Sequence, residues 1–185
     1  YTFIQQQKDR VYSLDNFKKY MQEFFNIQHV LKCIHVCGTN GKGSTVNYMK
    51  EVLKKQGYQV GTFTSPALIS RLDVVRINDQ WIDEQFIVDV ANRYVDTWLE
   101  YEISLFEIEV FISILYFIYQ GVDYAIYEVG LGGQLDATNI ILPMVCVNTN
   151  IGLDHMDYLG ESYESIAGAK AGIIKDHVDF ITGEH

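Results

Sequence analysis

The residues Gly38-Thr39-Asn40-Gly41-Lys42-Gly43-Ser44-Thr45 combine glycines, one lysine and adjacent hydroxyls between a hydrophobic run and an amphipathic one. Glycine lets the backbone curl until successive N–H groups point at one anion, and the start of a helix adds a partial positive charge. A lysine so placed reaches the outer phosphates of a polyphosphate. A hydroxyl from Ser44 or Thr45 reaches phosphate or Mg²⁺. The spacing G-x-x-G-K-G-S is a shorter relative of the general G-x4-G-K-[ST] loop. The competing reading, a glycine-rich turn that binds nothing, leaves Lys42 and the hydroxyls without a purpose.

Three further stretches carry candidate chemistry. Glu128 ends a hydrophobic strand and opens the glycine-rich run Gly130-Leu131-Gly132-Gly133-Gln134-Leu135-Asp136-Ala137-Thr138-Asn139. Beside a phosphate loop, an acid at a strand end commonly holds the Mg²⁺ that bridges phosphates; the alternative is an idle, solvated carboxylate. Asn150-Ile151-Gly152-Leu153-Asp154-His155 follows another strand and offers an imidazole beside a carboxylate, although a lone His is more often structural. Lys170 lies among small and apolar residues, Ile166-Ala167-Gly168-Ala169-Lys170-Ala171-Gly172. Burial there lowers a lysine's pKa and leaves its amine neutral enough to react with CO₂.

These groups need a scaffold. Apolar spacing predicts a helix over 14–27 with Ser13 as N-cap, a strand over 30–37, a helix over 44–56 closed by Gly57 and a strand over 58–64. Residues 65–80 read as irregular, with Asn78-Asp79 as a turn. Helices follow over 83–99 and 105–120, the second apolar almost all round and ended by Gly121. Strands at 123–129 and 144–149, a short helix at 162–173 and a strand at 178–182 complete the pass. Strand–helix alternation implies an α/β fold: a doubly wound, mostly parallel sheet flanked by helices, with ligands at the strand C-termini.

Composition narrows the function. The chain has 185 residues, 48% hydrophobic and 21% charged, which are globular values and fit one domain or a large part of one. A formal charge of −10 argues against a nucleic-acid partner. It also requires that metal ions and a local cluster of N–H donors offset the acidity for any anionic substrate. The 3 cysteines, Cys33, Cys37 and Cys146, are too few and oddly numbered for a disulfide framework and read as core thiols. No apolar run reaches the roughly 18 residues of a membrane helix, and no leader is visible, so a cytoplasmic, membrane-free protein is the default expectation.

Taken together, HVCGTNGKGST (35–45), TSPAL (64–68), SLFE (104–107), EVGLGGQLDATN (128–139), LDHMDYLG (153–160) and ESIAGAKAGIIK (164–175) resemble the folylpolyglutamate synthase/dihydrofolate synthase branch of the Mur ligase superfamily. The strings occur in the family's order over nearly the whole chain. Gly43 directly after Lys42 resembles the folate branch more than the cell-wall ligases, which carry a hydroxyl residue there.

The resemblance implies an ATP-dependent amide ligase. ATP phosphorylates the carboxylate of dihydropteroate or of a folate tail, and the amine of L-glutamate displaces phosphate. Lys42 and the loop 38–45 would hold the phosphates. Ser65 and Glu128 would ligate one Mg²⁺, with Ser44 as a further hydroxyl. His155 and a carbamylated Lys170 would support a second Mg²⁺. Phe106 would stack on the pterin ring; its bland alternative is a core aromatic. Two positions depart from the family: Ala67 replaces the usual His and Gln134 the usual Arg. The resemblance further implies that 1–185 is an ATP-binding part whose C-terminal ligase domain is absent, acting as a monomer when whole. The alternatives are a cell-wall Mur-type ligase, disfavoured by the short stretch before the loop, and a degenerate homologue that binds nucleotide or folate without catalysis.

Overall fold

The computed structural model describes residues 13–184. Its strands, in chain order, are β1 (Cys33–Cys37), β2 (Val60–Phe63), β3 (Val75–Ile77), β4 (Gln80–Trp81), β5 (Tyr124–Glu128), β6 (Pro143–Asn148) and β7 (Asp179–Thr182). In space they form one sheet in the order β4-β3-β2-β5-β1-β6-β7. From β2 through β5, β1 and β6 to β7 the pairing is parallel, while β3 and β4 extend one edge antiparallel. The doubly wound, mostly parallel architecture expected from the sequence is the one observed.

The helices are α1 (Asp15–Glu23), α2 (Lys42–Lys55), α3 (Glu84–Glu100), α4 (Leu105–Gln120), α5 (Met156–Leu159) and α6 (Tyr163–Ala171). They cover both faces of the sheet, so the central strands are buried on both sides and read as nearly continuous apolar runs, interrupted only by His35 in β1 and Thr62 in β2. On one face Val46, Met49 and Leu53 of α2 pack on Val36, Val60 and Ile126. On the other, Phe111, Ile114 and Phe117 of α4 join Cys33, Phe63, Ala125 and Tyr127, with α1 closing the layer through Phe17, Tyr20 and Met21. Residues 125, 126 and 127 thus alternate faces along β5, as a pleated strand requires.

Local chemistry sets the helix ends. In SLFE, the Ser104 hydroxyl accepts from the Glu107 amide at 3.3 Å and the Glu107 carboxylate accepts from the Ser104 amide at 2.6 Å. This capping box starts α4. Gly121, at φ 64°, ends it in the left-handed conformation that glycine adopts freely.

The boundaries differ from the sequence reading where local geometry intervenes. The first helix stops at Glu23 because Phe25 and Asn26 take φ of 54° and 53°. Ser13 accepts from the Asp15 amide at 3.1 Å, although Leu14 holds the N-cap position. The first strand begins at Cys33, after a 3-10 turn over Ile27–Val30. The stretch 65–80, expected to be irregular, contains a 3-10 turn (Arg71–Val74) and the β3–β4 hairpin around Asn78-Asp79. Strands of 3 and 2 residues are too short to show alternation. The one-turn helix α5 escapes periodicity for the same reason.

One position reports how tightly the faces fit. Gly61 on β2 lies against the fully buried Phe117, and a Cβ added there would stand 2.7 Å from the ring. Gly61→Ala is expected to destabilise the protein by about 1–3 kcal/mol through overpacking, seen as a lower urea midpoint at unchanged slope.

Candidate functional site

The C-terminal ends of β1, β2, β5 and β6 open on one edge of the sheet, and the loops that follow them hold most of the residues singled out above. After β1 the chain turns at Gly38 (φ 141°) and Gly41 (φ 78°), and α2 begins at Lys42. The N-cap is Gly41, and no side chain caps this helix. Its first amides are therefore available to an anion, with the helix dipole behind them. Lys42 Nζ rests on its own loop, donating to the carbonyls of Gly38 at 3.0 Å and Thr39 at 3.4 Å.

The loop's shape is held from outside. The Thr39 amide donates to the Asn150 carbonyl at 2.9 Å, and the Asn40 amide to Asn150 Oδ1 at 2.9 Å. Thr149 Oγ1 donates to the Asn40 carbonyl at 2.6 Å, and the Gly152 amide to Thr39 Oγ1 at 2.9 Å. The segment after β6 thus clamps the glycine loop. Residues 150–155 read from the sequence only as a metal candidate; the clamp is not legible there, because its partners lie more than 100 residues away, as with Asn40 and Asn150, 110 apart. Gly38 is required at the joint, since a Cβ there would overlap Thr149 Oγ1 at 1.9 Å.

Glu128, at the end of β5, is buried to 5% exposure and faces this loop: a Cβ on Gly43 would lie 3.6 Å from Glu128 Oε2. It accepts from the Ser65 amide at 3.3 Å. Burial raises its pKa above the usual carboxylate range, the Lys42 ammonium and the Ser65 amide pull it back, and Asp136 pushes it up again. A buried carboxylate with one amide donor calls for a cation. Glu128, Ser65 and Ser44, all oxygen donors, line one cavity of about 590 Å³ with Thr39–Gly43, Thr62, Thr64, Lys50 and Arg76. Hard oxygen donors beside a phosphate loop suit Mg²⁺, which keeps several waters and phosphate oxygens of its own. No cluster of three or more His, Cys, Asp or Glu suited to a metal occurs among the described residues.

Lys170, near the end of α6, is 5% exposed and makes no side-chain hydrogen bond or ion pair among the described residues. Burial lowers its pKa below the ordinary lysine value and the Lys42 ammonium lowers it further, against Cys37 and Asp154. The structure therefore brings Lys170 within electrostatic range of the phosphate-loop lysine. His155 takes φ 50° at the start of α5, is exposed, and lies 3.6 Å from the Asp154 carboxylate. No hydrogen bond or ion pair joins it to Lys170 or Glu128 among the described residues.

Phe106 lies at the edge of the same region. A Cβ on Gly130 would meet its ring at 2.8 Å, and its centroid is 5.7 Å from that of Phe63. The LDATN string is structural in a way the sequence does not announce. Asp136, buried, accepts from the amides of Gly130 and Leu131 at 2.9 Å each and of Thr138 at 3.0 Å, and from the Thr138 hydroxyl. It thereby folds the glycine loop that follows Glu128. Thr138 continues to the buried His35, whose Nε2 lies 2.8 Å from Thr138 Oγ1. The two family departures sit outside these networks. Ala67 is exposed, and Gln134 is exposed as a whole although its Cα, Cβ and Cγ pack on Gly172 and its backbone amide donates to the Ala169 carbonyl.

Comparison with known proteins converges on one family. Residues 36–181 match the Mur ligase middle domain. A dihydrofolate synthase/folylpolyglutamate synthase of Bacillus subtilis is 40% identical over 91% of this chain and 41% of its own length. A folylpolyglutamate synthase of Lacticaseibacillus casei is 36% identical over 85% of this chain and 39% of that protein. Among solved structures, E. coli FolC in complex with DHPP and ADP superposes with a TM-score of 0.89 at 33% identity, covering 96% of this chain and 43% of that one. A bifunctional folylpolyglutamate synthase/dihydrofolate synthase with Mn, AMPPNP and L-glutamate bound gives 0.88 at 32%, covering 97% and 44%. The chain thus spans less than half the length of these relatives. The uncapped glycine loop, its clamp and the acid that faces it stand inside the matched domain, and this chain belongs to the Mur ligase family.

Proposed function

We propose that this chain is the ATP-binding part of a ligase that adds L-glutamate to a folate tail, to dihydropteroate, or to both. One observation carries the reading: the uncapped start of α2, Lys42 and buried Glu128 converge on a single cavity beside Ser65, in a chain 40% identical to a dihydrofolate synthase/folylpolyglutamate synthase.

The chemistry follows from the residues. The α2 amides and Lys42 hold the nucleotide phosphates and offset charge on the transferring one. Glu128 and Ser65, with Ser44 close by, would hold Mg²⁺, which when bound draws the phosphate oxygens and the acceptor carboxylate together by offsetting their charge. A carboxylate oxygen of the acceptor attacks the γ-phosphorus, and the bond to the bridging oxygen breaks to release ADP. The amine of glutamate then attacks the acyl carbon, loses a proton and expels inorganic phosphate. Much of the rate comes from holding these reactants in line.

Lys170 adds a finer element. A buried amine depressed by its surroundings and by Lys42 captures CO₂, and the resulting carbamate replaces like-charge repulsion from Lys42 by attraction. With His155, that carboxylate would support a second Mg²⁺. Because only the neutral amine reacts, capture is expected to become more favourable as pH rises through the lowered Lys170 pKa. Enzyme depleted of CO₂ and bicarbonate should lose most of its activity and regain it on adding bicarbonate, whereas Lys170→Ala should not respond. Activity indifferent to bicarbonate in both would remove the carbamate.

The acceptor class is tested by ADP release from full-length protein. Release dependent on a folate or dihydropteroate acceptor and on glutamate supports the reading. Release only with a UDP-muramoyl peptide would move the protein to the cell-wall ligases.

A further inference from the structure

The cavity that carries the phosphate loop at one end has cations beyond it that neither the loop nor the metal position uses. Lys42, Lys50 and Arg76 all line it. Lys42 belongs to the loop. Lys50 is already matched by two carboxylates, Glu51 at 2.9 Å and Asp79 at 3.1 Å. Arg76 differs. Its Nε donates to a neutral group, the Asp73 carbonyl, at 2.9 Å. Its terminal nitrogen stands 3.7 Å from Asp73 Oδ2, and its terminal nitrogens make no hydrogen bond among the described residues.

The Asp73 carboxylate is also occupied elsewhere. It is 2% exposed and accepts from the amides of Leu68, at 3.2 and 3.1 Å, Ile69, at 2.6 Å, and Ser70, at 3.3 Å. Burial alone would raise its pKa, but these amides and Arg76 hold it below the usual value. Asp73 thus spends its lone pairs folding the loop that follows Ser65-Pro66. It leaves the planar fork of Arg76 with most of its donors free, the geometry that binds a carboxylate in two-point fashion.

Position distinguishes the ligand. Arg76 lies on β3, opposite Thr62 of β2, which lines the same cavity. In the sheet, β5 and β2 separate β3 from β1, whose end carries the phosphate loop. At ordinary strand spacing that is about 14 Å. Ser65, which follows β2, stands between Arg76 and the loop in strand order, and all three line the one cavity.

We propose that Arg76 binds the carboxylate of the acceptor at the far end of the cavity and directs it toward the phosphate held by the loop. Asp73 is a positioning residue: it fixes the 68–70 loop and orients Arg76 through its carbonyl. This inference rests on the ligase reading above, and the two fail differently.

The test uses full-length protein, Arg76→Gln and Arg76→Lys, with a folate acceptor, glutamate and Mg·ATP. Wild type that ignores the acceptor sinks the ligase reading itself. Given active wild type, Arg76→Gln should raise the acceptor KM about tenfold or more while the ATP KM stays within about twofold, and Arg76→Lys should recover part of the loss. An acceptor analogue with a carboxamide in place of the reacting carboxylate should inhibit wild type and Arg76→Gln equally. An unchanged acceptor KM, an ATP KM that rises in step with it, or a carboxamide that loses affinity for Arg76→Gln would overturn the assignment. A merely structural role predicts a loss for every ligand, so the split between acceptor and ATP decides.

Discussion

Lys42→Ala in the full-length protein is expected to lower kcat/KM by about 10²–10³-fold, the usual effect of removing one group that stabilises developing charge in a closed site. The fold should survive, because Lys42 Nζ bonds only the Gly38 and Thr39 carbonyls of its own loop. The clamp from Thr149, Asn150 and Gly152 does not involve its side chain. Unchanged denaturation with lost turnover is therefore the signature.

A second consequence separates this site from a generic phosphate loop. Lys42 helps depress the Lys170 amine and pulls the Glu128 carboxyl down. Removing Lys42 thus makes Lys170 more basic and less able to take up CO₂, and makes Glu128 easier to protonate. The two lysines should be strongly non-additive: Lys170→Ala should cost much less in the Lys42→Ala background than in wild type. Losses that simply multiply would show that the two act independently.

Lowering the pH from 7 to 5 is expected to destabilise the protein by about 2 kcal/mol through His35 alone. His35 is fully buried on β1, with Nε2 against Thr138 and Nδ1 without a partner. Burial, and secondarily the charge of Lys175, pushes its pKa down to about 3 from 6.5. The unfolded chain then binds a proton below pH 6.5 that the folded chain refuses until about pH 3. Stability is fully present above the unfolded value and falls as pH drops through that window. The other described histidines, His29, His155 and His177, are exposed. Asp136, raised by burial, works in the opposite sense at lower pH, since protonation then favours the folded form. The readout is the slope of unfolding free energy against pH between 7 and 5, from urea titrations. His35→Gln should flatten it whatever that substitution does to stability at pH 7. An equal slope in both proteins would show that His35 is not the group responsible.

What the sequence disclosed follows a physical division. The glycine loop between β1 and α2 was legible because all its parts are consecutive: a strand, glycines, a lysine and hydroxyls, then a helix. The parallel sheet was legible because two-sided burial leaves nearly continuous apolar runs, as in β5 and, apart from His35, in β1. Strand order was not legible, since β1 pairs with β5 and β6 through contacts that no local pattern encodes. The clamp on the loop, the Asp73 bonds to 68–70 and the Asp136 knot beneath Glu128 were missed in the same way. Each depends on a polar side chain whose partners are fixed by the folded backbone. SLFE shows a different gap: the string was read for its aromatic, whereas its Ser and Glu form the capping box that starts α4. Phe106 does reach the glycine loop, at Gly130.

If the loop, Glu128 and Lys170 serve acyl phosphate formation on a folate-type acceptor, ADP release must depend on that acceptor. The most direct measurement is ADP release by full-length protein with Mg·ATP and L-glutamate, run separately with dihydropteroate and with tetrahydrofolate. The account predicts acceptor-dependent release with at least one of the two, abolished in Lys42→Ala. Mg·ATP binding without release in the presence of either acceptor would contradict it and leave a nucleotide-binding homologue that does not catalyse.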